Sequence, residues 1–224
     1  MGKIKSLDFY NQIKTDEYHR YKSWEHCYQF FSMNRKSSIS ISNFSIQLFT
    51  YLASWGMLRG SSFLLQKDYL FHNEVVEEIL KDKYDCLLNL DLNQVNDNHV
   101  ALILELKDRI RSIYYNKTSV INGKLNSNTY PSDVLVSKIL LGTLGCLPAF
   151  DRYFISGLKT EELSYQSITK KSILALKDHY VKYKNEYDSL KRIIASNSMI
   201  EYPIMKLIDM HFWQTGYEKE LKQL

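Results

Sequence analysis

The stretch Leu135–Leu158, LVSKILLGTLGCLPAFDRYFISGL, decides the fold because it joins two apolar helical segments through a corner that contains glycines. Apolar residues recur over 134–141 as a wide helical stripe, with Lys138 on its flank. Ser132 has the hydroxyl group of a good helix N-cap. The pattern therefore predicts a largely buried helix from about Ser132 to Leu141.

The corner after this helix brings charge into an apolar region. Gly142 and Gly145 are expected to end the helix, since glycine adopts the left-handed cap conformation without a Cβ clash. Pro148 suits the first turn of a second helix, which would carry Asp151 and Arg152 one turn into it. Charged groups there need a partner or a ligand. Asp151 is either part of a structural ion pair or helix cap, or a carboxylate that faces a cleft and does chemistry.

A second glycine-punctuated corner lies within 44–65. Its first half predicts a helix that is apolar on nearly all sides, and Gly56 then opens a break where Trp55 and Arg59 appear. The planar guanidinium of Arg59 suits a small anion. The alternative is that Arg59 binds carbonyl groups left free at the helix end, or pairs with Asp151.

Composition favours long helices. The 224 residues include only eight Gly and three Pro, and the hydrophobic and charged fractions of 45% and 24% are ordinary for a globular protein. We expect an all-α fold, with a single compact domain over 1–224 that holds about 8–10 helices and is not a coiled coil. The polar stretch near 117–130 is the candidate for an internal boundary or a mobile loop.

Charge and cysteine content indicate which partners the chain could bind and in which compartment it is expected. The formal charge of +4, from 29 basic and 25 acidic residues, permits nucleic acid binding without requiring it. The three cysteines are far apart and form no CxxC pair, so reduced thiols are expected. No run reaches the roughly 18 apolar residues that a membrane span needs. These features predict a cytoplasmic protein with no membrane partner.

Familiar catalytic patterns are missing from the sequence. It contains no GxxxxGK[ST], GxGxxG, HExxH or GxSxG motif and no paired-cysteine zinc pattern. Neither a cofactor nor a metal site is therefore expected.

The order Lys138-Ile139-Leu140, glycine turn, Pro148, Asp151 in an all-helical chain resembles the helix-hairpin-helix DNA glycosylases. The resemblance implies that Asp151 lies at the mouth of a base pocket, where it stabilises a cationic sugar or orients water beside a flipped nucleotide. It also implies that backbone N–H groups of residues 142–145 contact phosphate. The likeness covers about twenty residues and lacks the Leu-Pro-Gly-x-Gly hairpin of that family, and Asp151 follows the turn more closely, so the sequence assigns no family.

Two functions follow as hypotheses. The first is a non-catalytic helical module that binds a nucleic acid or a protein partner, and the second is a helical enzyme that acts on nucleic acid or a nucleotide, with Asp151 as the catalytic carboxylate. The expected binding residues are Trp55, Arg59, Lys138 and Arg152. Whether the chain is an enzyme, and its oligomeric state, stay open. Convergence of Arg59, Asp151 and Arg152 on an open pocket would distinguish a functional site from a structural ion pair.

Overall fold

The structure is a computed structural model that describes residues 4–60, 62–117, 119–121, 123–126, 130–198 and 200–222. Within these ranges the chain forms ten α-helices, several short 3-10 turns and one small hairpin, which confirms the all-α prediction. The helices are α1 (Ser6–Lys14), α2 (Ser23–Asn34), α3 (Ile41–Ser54), α4 (Asn73–Ile79), α5 (Asp97–Tyr115), α6 (Asp133–Thr143), α7 (Arg152–Thr160), α8 (Lys170–Lys182), α9 (Lys184–Ala195) and α10 (Ile204–Leu221).

The hairpin consists of two antiparallel strands, β1 (Ser119–Ile121) and β2 (Lys124–Asn126). It falls in the stretch near 117–130 that the sequence predicts to be a boundary or a mobile loop. Part of that prediction concerns residues 118, 122 and 127–129, which lie outside the described residues.

Two helices form the centre of the molecule. Every residue of α6 from Leu135 to Thr143 is buried, and so is every residue of α10 from Ile204 to Gly216. A helix that is buried on all sides must be packed by other elements on all sides. One continuous cluster of buried apolar side chains accordingly runs from Ile4 near the start of the chain to Trp213.

Close contact between α7 and α10 depends on two glycines. A Cβ atom added to Gly157 would lie 1.9 Å from the carbonyl oxygen of Phe212, and one added to Gly216 would lie 1.9 Å from that of Tyr153. Both distances are far below van der Waals contact, so only glycine allows the two backbones to approach this closely. These two helices pack on each other more extensively than any other described pair.

The corner between α6 and α7 differs from the sequence expectation in two ways. Gly142 does not end α6, since the helix continues through Thr143 with Leu144 as its C-cap, and the left-handed residue that follows the cap is Gly145, whose φ is +63°. Gly142 is instead required by packing, because a Cβ there would lie 2.4 Å from the ring of Tyr51. The N-cap prediction is confirmed, as the Ser132 side chain accepts from the N–H of Leu135 at 3.3 Å.

The second helix also starts later than expected. Pro148 lies in the loop, and α7 begins at Arg152 with Asp151 as its N-cap. The prediction that Asp151 lies one turn inside this helix was wrong. The reason is that residues 144–150 form a buried loop with tertiary hydrogen bonds, which the sequence pattern does not reveal.

Among the described residues, none of the helices combines the length and the apolar character that crossing a membrane requires.

Candidate functional site

The buried loop 144–150 fixes the position of Asp151. The backbone N–H of Ala149 donates to Asp209 Oδ1 at 2.9 Å, and that of Phe150 donates to Ser137 Oγ at 2.8 Å. Buried backbone groups need such partners, because an unpaired buried N–H is costly. Asp209 on α10 and Ser137 on α6 therefore hold the loop from both sides and define where α7 starts.

Asp151 uses its two carboxylate oxygens differently. Oδ1 accepts from the N–H of Phe154 at 3.1 Å, which caps α7, while Oδ2 lies 3.9 Å from Nζ of Lys138. The side chain is only 14% exposed. Burial raises the pKa of the Asp151 carboxyl, and the nearby Lys138 ammonium opposes that rise. The capping role that the sequence allowed is thus present, and the second oxygen remains directed at a buried cation.

Lys138 binds a backbone carbonyl group at the C-terminal end of α3. Its ammonium donates to the carbonyl oxygen of Trp55 at 3.0 Å and lies 5.5 Å from the centre of the Trp55 ring. Burial lowers the pKa of Lys138, and the carboxylates of Asp151 and Asp209 oppose this. Binding of carbonyl groups at this helix end was one alternative for Arg59, and the Trp55 carbonyl is bound by Lys138 instead.

A second ion pair lies directly behind the first. Lys206 Nζ is 2.8 Å from Asp209 Oδ2, and both side chains are 2% exposed. The Lys206 ammonium is also 5.1 Å from the centre of the Trp55 ring and 5.1 Å from that of Trp24, within cation–π range. Trp55 is consequently within cation–π range of two buried ammonium groups, each of which has a carboxylate nearby.

A cavity of about 420 Å³ opens beside the Lys138–Asp151 pair. All five residues that the sequence proposed for a site line it, namely Trp55, Arg59, Lys138, Asp151 and Arg152. Four of its lining side chains are basic and one is acidic, because Arg20 joins the set. Its walls are aromatic, formed by Tyr21, Trp55, Tyr153 and Trp213.

The arginines at the rim are mostly exposed. Arg59 makes no hydrogen bond or ion pair within the part of the chain that the structure describes, and its guanidinium packs against Gly56. Arg152 donates to the Tyr153 hydroxyl at 2.7 Å and lies 3.3 Å from Glu220, with its side chain 70% exposed. Arg59 therefore does not pair with Asp151, and its donors are free to face the cavity.

One implication of the glycosylase resemblance is wrong. Residues 142–145 are buried, and the N–H groups of Leu144 and Gly145 both donate to the carbonyl oxygen of Leu140. These backbone groups cannot contact a phosphate because they are already bonded inside the core.

Sequence reasoning missed several lining residues of the cavity, among them Arg20, Tyr21, Tyr153 and Trp213. Arg20 and Tyr21 come from a 3-10 turn before α2, and Trp213 comes from the far end of the chain on α10. Tyr21 stacks on Trp55 with ring centres 4.5 Å apart, and Trp213 packs edge-on against Tyr21 at 5.6 Å. In the sequence, Arg20, Tyr21 and Trp213 are marked only by their basic or aromatic character. Aromatic residues are equally typical of a protein core and basic residues of a solvent-exposed face, so this character did not indicate a site.

A second group of ionisable residues lies at the other end of α7. Glu161, His179 and His211 line a separate cavity of about 770 Å³. His211 Nε2 is 2.7 Å from Glu161 Oε1, and His179 Nδ1 is 3.6 Å from Glu161 Oε2. Burial raises the pKa of the Glu161 carboxyl, but the hydrogen bond from His211 and the charges of His211, His179 and Lys182 together lower it overall. No sequence pattern indicates this group, since its members are 18 and 32 residues apart.

Comparison with protein-family models, with curated proteins and with solved structures found no match for this chain.

Proposed function

We propose that the chain binds a nucleotide unit of a single-stranded or locally opened nucleic acid in the cavity beside Lys138 and Asp151. The observation that carries this proposal is the pairing of four basic side chains with aromatic walls in one concave site. The cavity volume of about 420 Å³ lies within the roughly 300–1,000 Å³ range of small-ligand sites.

The rim supports the phosphate part of the proposal. Arg59 has a guanidinium with no ion-pair partner among the described residues, and Arg152 is mostly exposed. A guanidinium presents several donors in a planar fork that matches two phosphate oxygens. The exposed rim allows a chain of nucleotides to enter and leave.

The walls support the base part of the proposal. The stacked Tyr21 and Trp55 rings and the edge-on Trp213 ring provide faces and edges for a planar ligand. Stacking of a base on an aromatic side chain is worth about 1–3 kcal/mol and tolerates any base. This pocket would therefore favour nucleic acid with little sequence preference.

A protein partner is the alternative that the sequence also allowed. Protein interfaces are usually broad and have a core that is depleted of charge. A small concave site with a formal excess of three positive charges, from four basic residues against one acidic residue, suits an anionic ligand better.

The test is fluorescence anisotropy with a fluorescein-labelled 12-nucleotide single-stranded DNA, titrated with protein at several salt concentrations. Arg59→Gln should weaken binding about fivefold to tenfold, since one charge-assisted contact to phosphate is lost. It should also reduce the slope of log K against log salt by about 0.7.

Arg192→Gln is the matched control, because Arg192 is an exposed arginine on α9 outside the cavity. It removes the same formal charge and should leave the affinity and the salt slope almost unchanged. Equal weakening by both variants would contradict a site at the cavity, and so would the absence of DNA binding at low salt. Displacement of the DNA by an acidic peptide, with no dependence on Arg59, would favour the protein partner.

A second candidate function is an enzyme that acts on the bound nucleotide, with Asp151 as the catalytic carboxylate. It is favoured by one specific observation, the buried carboxylate at the cavity wall whose Oδ2 is 3.9 Å from Lys138 Nζ. A carboxylate held in a water-poor site can stabilise a developing cation on a sugar ring.

Asp151→Asn separates the two functions. Asparagine is as good an N-cap as aspartate, so α7 should remain capped and the fold intact. If Asp151 is catalytic, the variant should bind the labelled DNA like the unchanged protein but release no base from oligonucleotides that contain damaged bases, as read by alkali-induced strand breaks. Unchanged base release by this variant would exclude the catalytic role.

We also propose that the protein works in a reducing compartment such as the cytoplasm. Cys27, Cys86 and Cys146 are all free thiols, and two of them are buried. Burial raises the pKa of the Cys146 thiol to about 12, which keeps it protonated and unreactive. Three unpaired thiols suit a compartment where disulfides do not form.

A further inference from the structure

We propose that Glu161, His179 and His211 form a binding site for a divalent transition-metal ion such as Zn²⁺, separate from the cavity beside Lys138. The ligand atoms of these three residues all lie within 4.8 Å of one another. Two imidazoles and one carboxylate are a ligand set that both catalytic zinc sites and non-haem iron sites use.

The three residues come from elements that are held firmly. His179 lies in the last turn of α8, His211 lies in the fully buried part of α10, and Glu161 directly follows α7. The next residue, Glu162, adopts a left-handed conformation with a φ of +63°, which is uncommon for a residue other than glycine. Each oxygen of Glu161, the residue before this turn, faces a different imidazole.

The distances are compatible with a metal after a small adjustment. Zn²⁺ binds imidazole nitrogen and carboxylate oxygen at about 2.0–2.2 Å, so tetrahedral ligands lie about 3.4 Å apart. His179 Nδ1 and Glu161 Oε2 are already 3.6 Å apart, and the short contact of 2.7 Å between His211 and Glu161 would lengthen. Three protein ligands leave a coordination position open to the cavity of about 770 Å³, as in catalytic rather than structural sites.

The surroundings of His179 already suit a ligand. Its Nε2 lies 3.0 Å from the hydroxyl oxygen of Tyr187, which can accept a hydrogen bond from Nε2–H when Nδ1 binds a metal. Metal-bound imidazoles usually donate their other N–H in this way.

Metal binding by His211 would require the loss of one existing hydrogen bond. The backbone N–H of Lys5 donates to His211 Nδ1 at 3.0 Å, which places the ring proton on Nε2, toward Glu161. A metal at Nε2 must displace that proton, and the ring must then carry its proton on Nδ1. The hydrogen bond from Lys5 would break, so metal uptake is coupled to the segment that starts α1.

The test is isothermal titration of the full chain with ZnCl₂, together with thermal unfolding in ZnCl₂ and in EDTA. The unchanged protein should bind one Zn²⁺ and gain thermal stability, because a ligand that binds only the folded state stabilises it. Glu161→Gln keeps the shape of the side chain and should weaken binding more than about 100-fold, since even indirect partners of a metal contribute 10- to 100-fold.

His179→Gln should have the same effect as Glu161→Gln. His26→Gln and Cys86→Ser are the controls, because they remove an exposed imidazole and the exposed thiol elsewhere on the surface. Both controls should bind Zn²⁺ like the unchanged protein. Circular dichroism in EDTA checks that each variant folds.

Several results would overturn the metal site. One is the absence of a Zn²⁺-dependent rise in melting temperature of the unchanged protein, a readout that does not depend on any variant. Another is binding that survives Glu161→Gln and His179→Gln but disappears in Cys86→Ser. Amide exchange at the start of α1 provides a further check, since it should become faster in Zn²⁺ if the Lys5 hydrogen bond breaks.

Discussion

Asp151 shows how a structural and a functional interpretation of one residue can both apply. It caps α7 with one oxygen, and it faces the Lys138 ammonium and the cavity with the other. The position at the start of a helix also favours the charged form, because the helix dipole is positive there. A capping role for Asp151 is therefore no reason to set a chemical role aside.

The sequence could indicate only those residues of the candidate site that lie in or beside the glycine corners. Charges in an apolar run are conspicuous, which is why Arg59 and Asp151 were found. Trp213 and His211 lie within a helix that reads as core, and nothing local indicates that opposite sides of α10 face two cavities. Such assignments depend on contacts between residues far apart in sequence.

Gly145 and Gly60 provide a matched test at the scale of one residue. Both have positive φ, +63° and +61°, so alanine is strained at each. A Cβ at Gly145 would lie 2.5 Å from Pro203, whereas one at Gly60 would meet nothing within 4 Å. Gly60→Ala should cost about 1–2 kcal/mol from the backbone alone. Gly145→Ala should cost roughly 1–3 kcal/mol more, because the overpacked core must shift.

Urea unfolding followed by circular dichroism measures both values. Equal losses in the two variants would show that the core around Pro203 yields easily to an added methyl group. A larger loss for Gly60→Ala would contradict the packing seen at Gly145.

At the scale of elements, helix existence was predictable and helix ends were not. The apolar stripe correctly located α6, and its N-cap at Ser132 is a local hydrogen bond. The start of α7 depends instead on Asp209 and Ser137, which bind the loop from other helices. Pro148 could have begun a helix by local preference, but these tertiary hydrogen bonds determine a different start.

The α7–α10 contact provides the second prediction. Gly157→Ala and Gly216→Ala should each destabilise the protein by about 3 kcal/mol or more, because each methyl group would meet a backbone carbonyl that cannot rotate away. The double variant should lose less than the sum of the two, since separating the helices for one methyl group makes room for the other.

A double-mutant cycle in urea measures this coupling. Lys159→Ala is the control, because Lys159 is exposed on the same helix and its loss should change stability by less than about 0.5 kcal/mol. Strict additivity of the two glycine variants would mean that the two sites relax independently, which their shared contact does not allow.

At the scale of the whole molecule, the α7–α10 pair connects the two cavities. Asp151 at the start of α7 lines one cavity, and Glu161 after its end lines the other. On α10, Trp213 faces the first cavity while His211 faces the second. Each site is assembled from segments distant in sequence, so the all-α class could be predicted from local patterns while the sites required the tertiary structure.

Acid stability of the whole molecule is the third prediction, and it depends on His72. This imidazole is fully buried beside Tyr114, and burial, with a smaller effect of Lys117, lowers its pKa from 6.5 to about 4, while Asp68 opposes the shift. The unfolded chain takes up a proton near pH 6.5 that the folded protein does not bind until about pH 4. The part of the free energy of unfolding that comes from keeping His72 neutral is therefore fully present above pH 6.5 and is lost as the pH falls to about 4.

The shift from 6.5 to about 4 corresponds to about 3 kcal/mol of the loss, at 1.36 kcal/mol per pKa unit. His72→Asn should reduce stability at pH 7 through lost packing, yet flatten the dependence on pH between 6.5 and 4 by about that amount. Guanidinium unfolding at half-unit pH steps measures the slope, and His26→Asn, at an exposed histidine, should keep the slope of the unchanged protein. If His72→Asn kept that slope too, the proton uptake would belong to other groups and His72 would not limit the stability of the fold in acid.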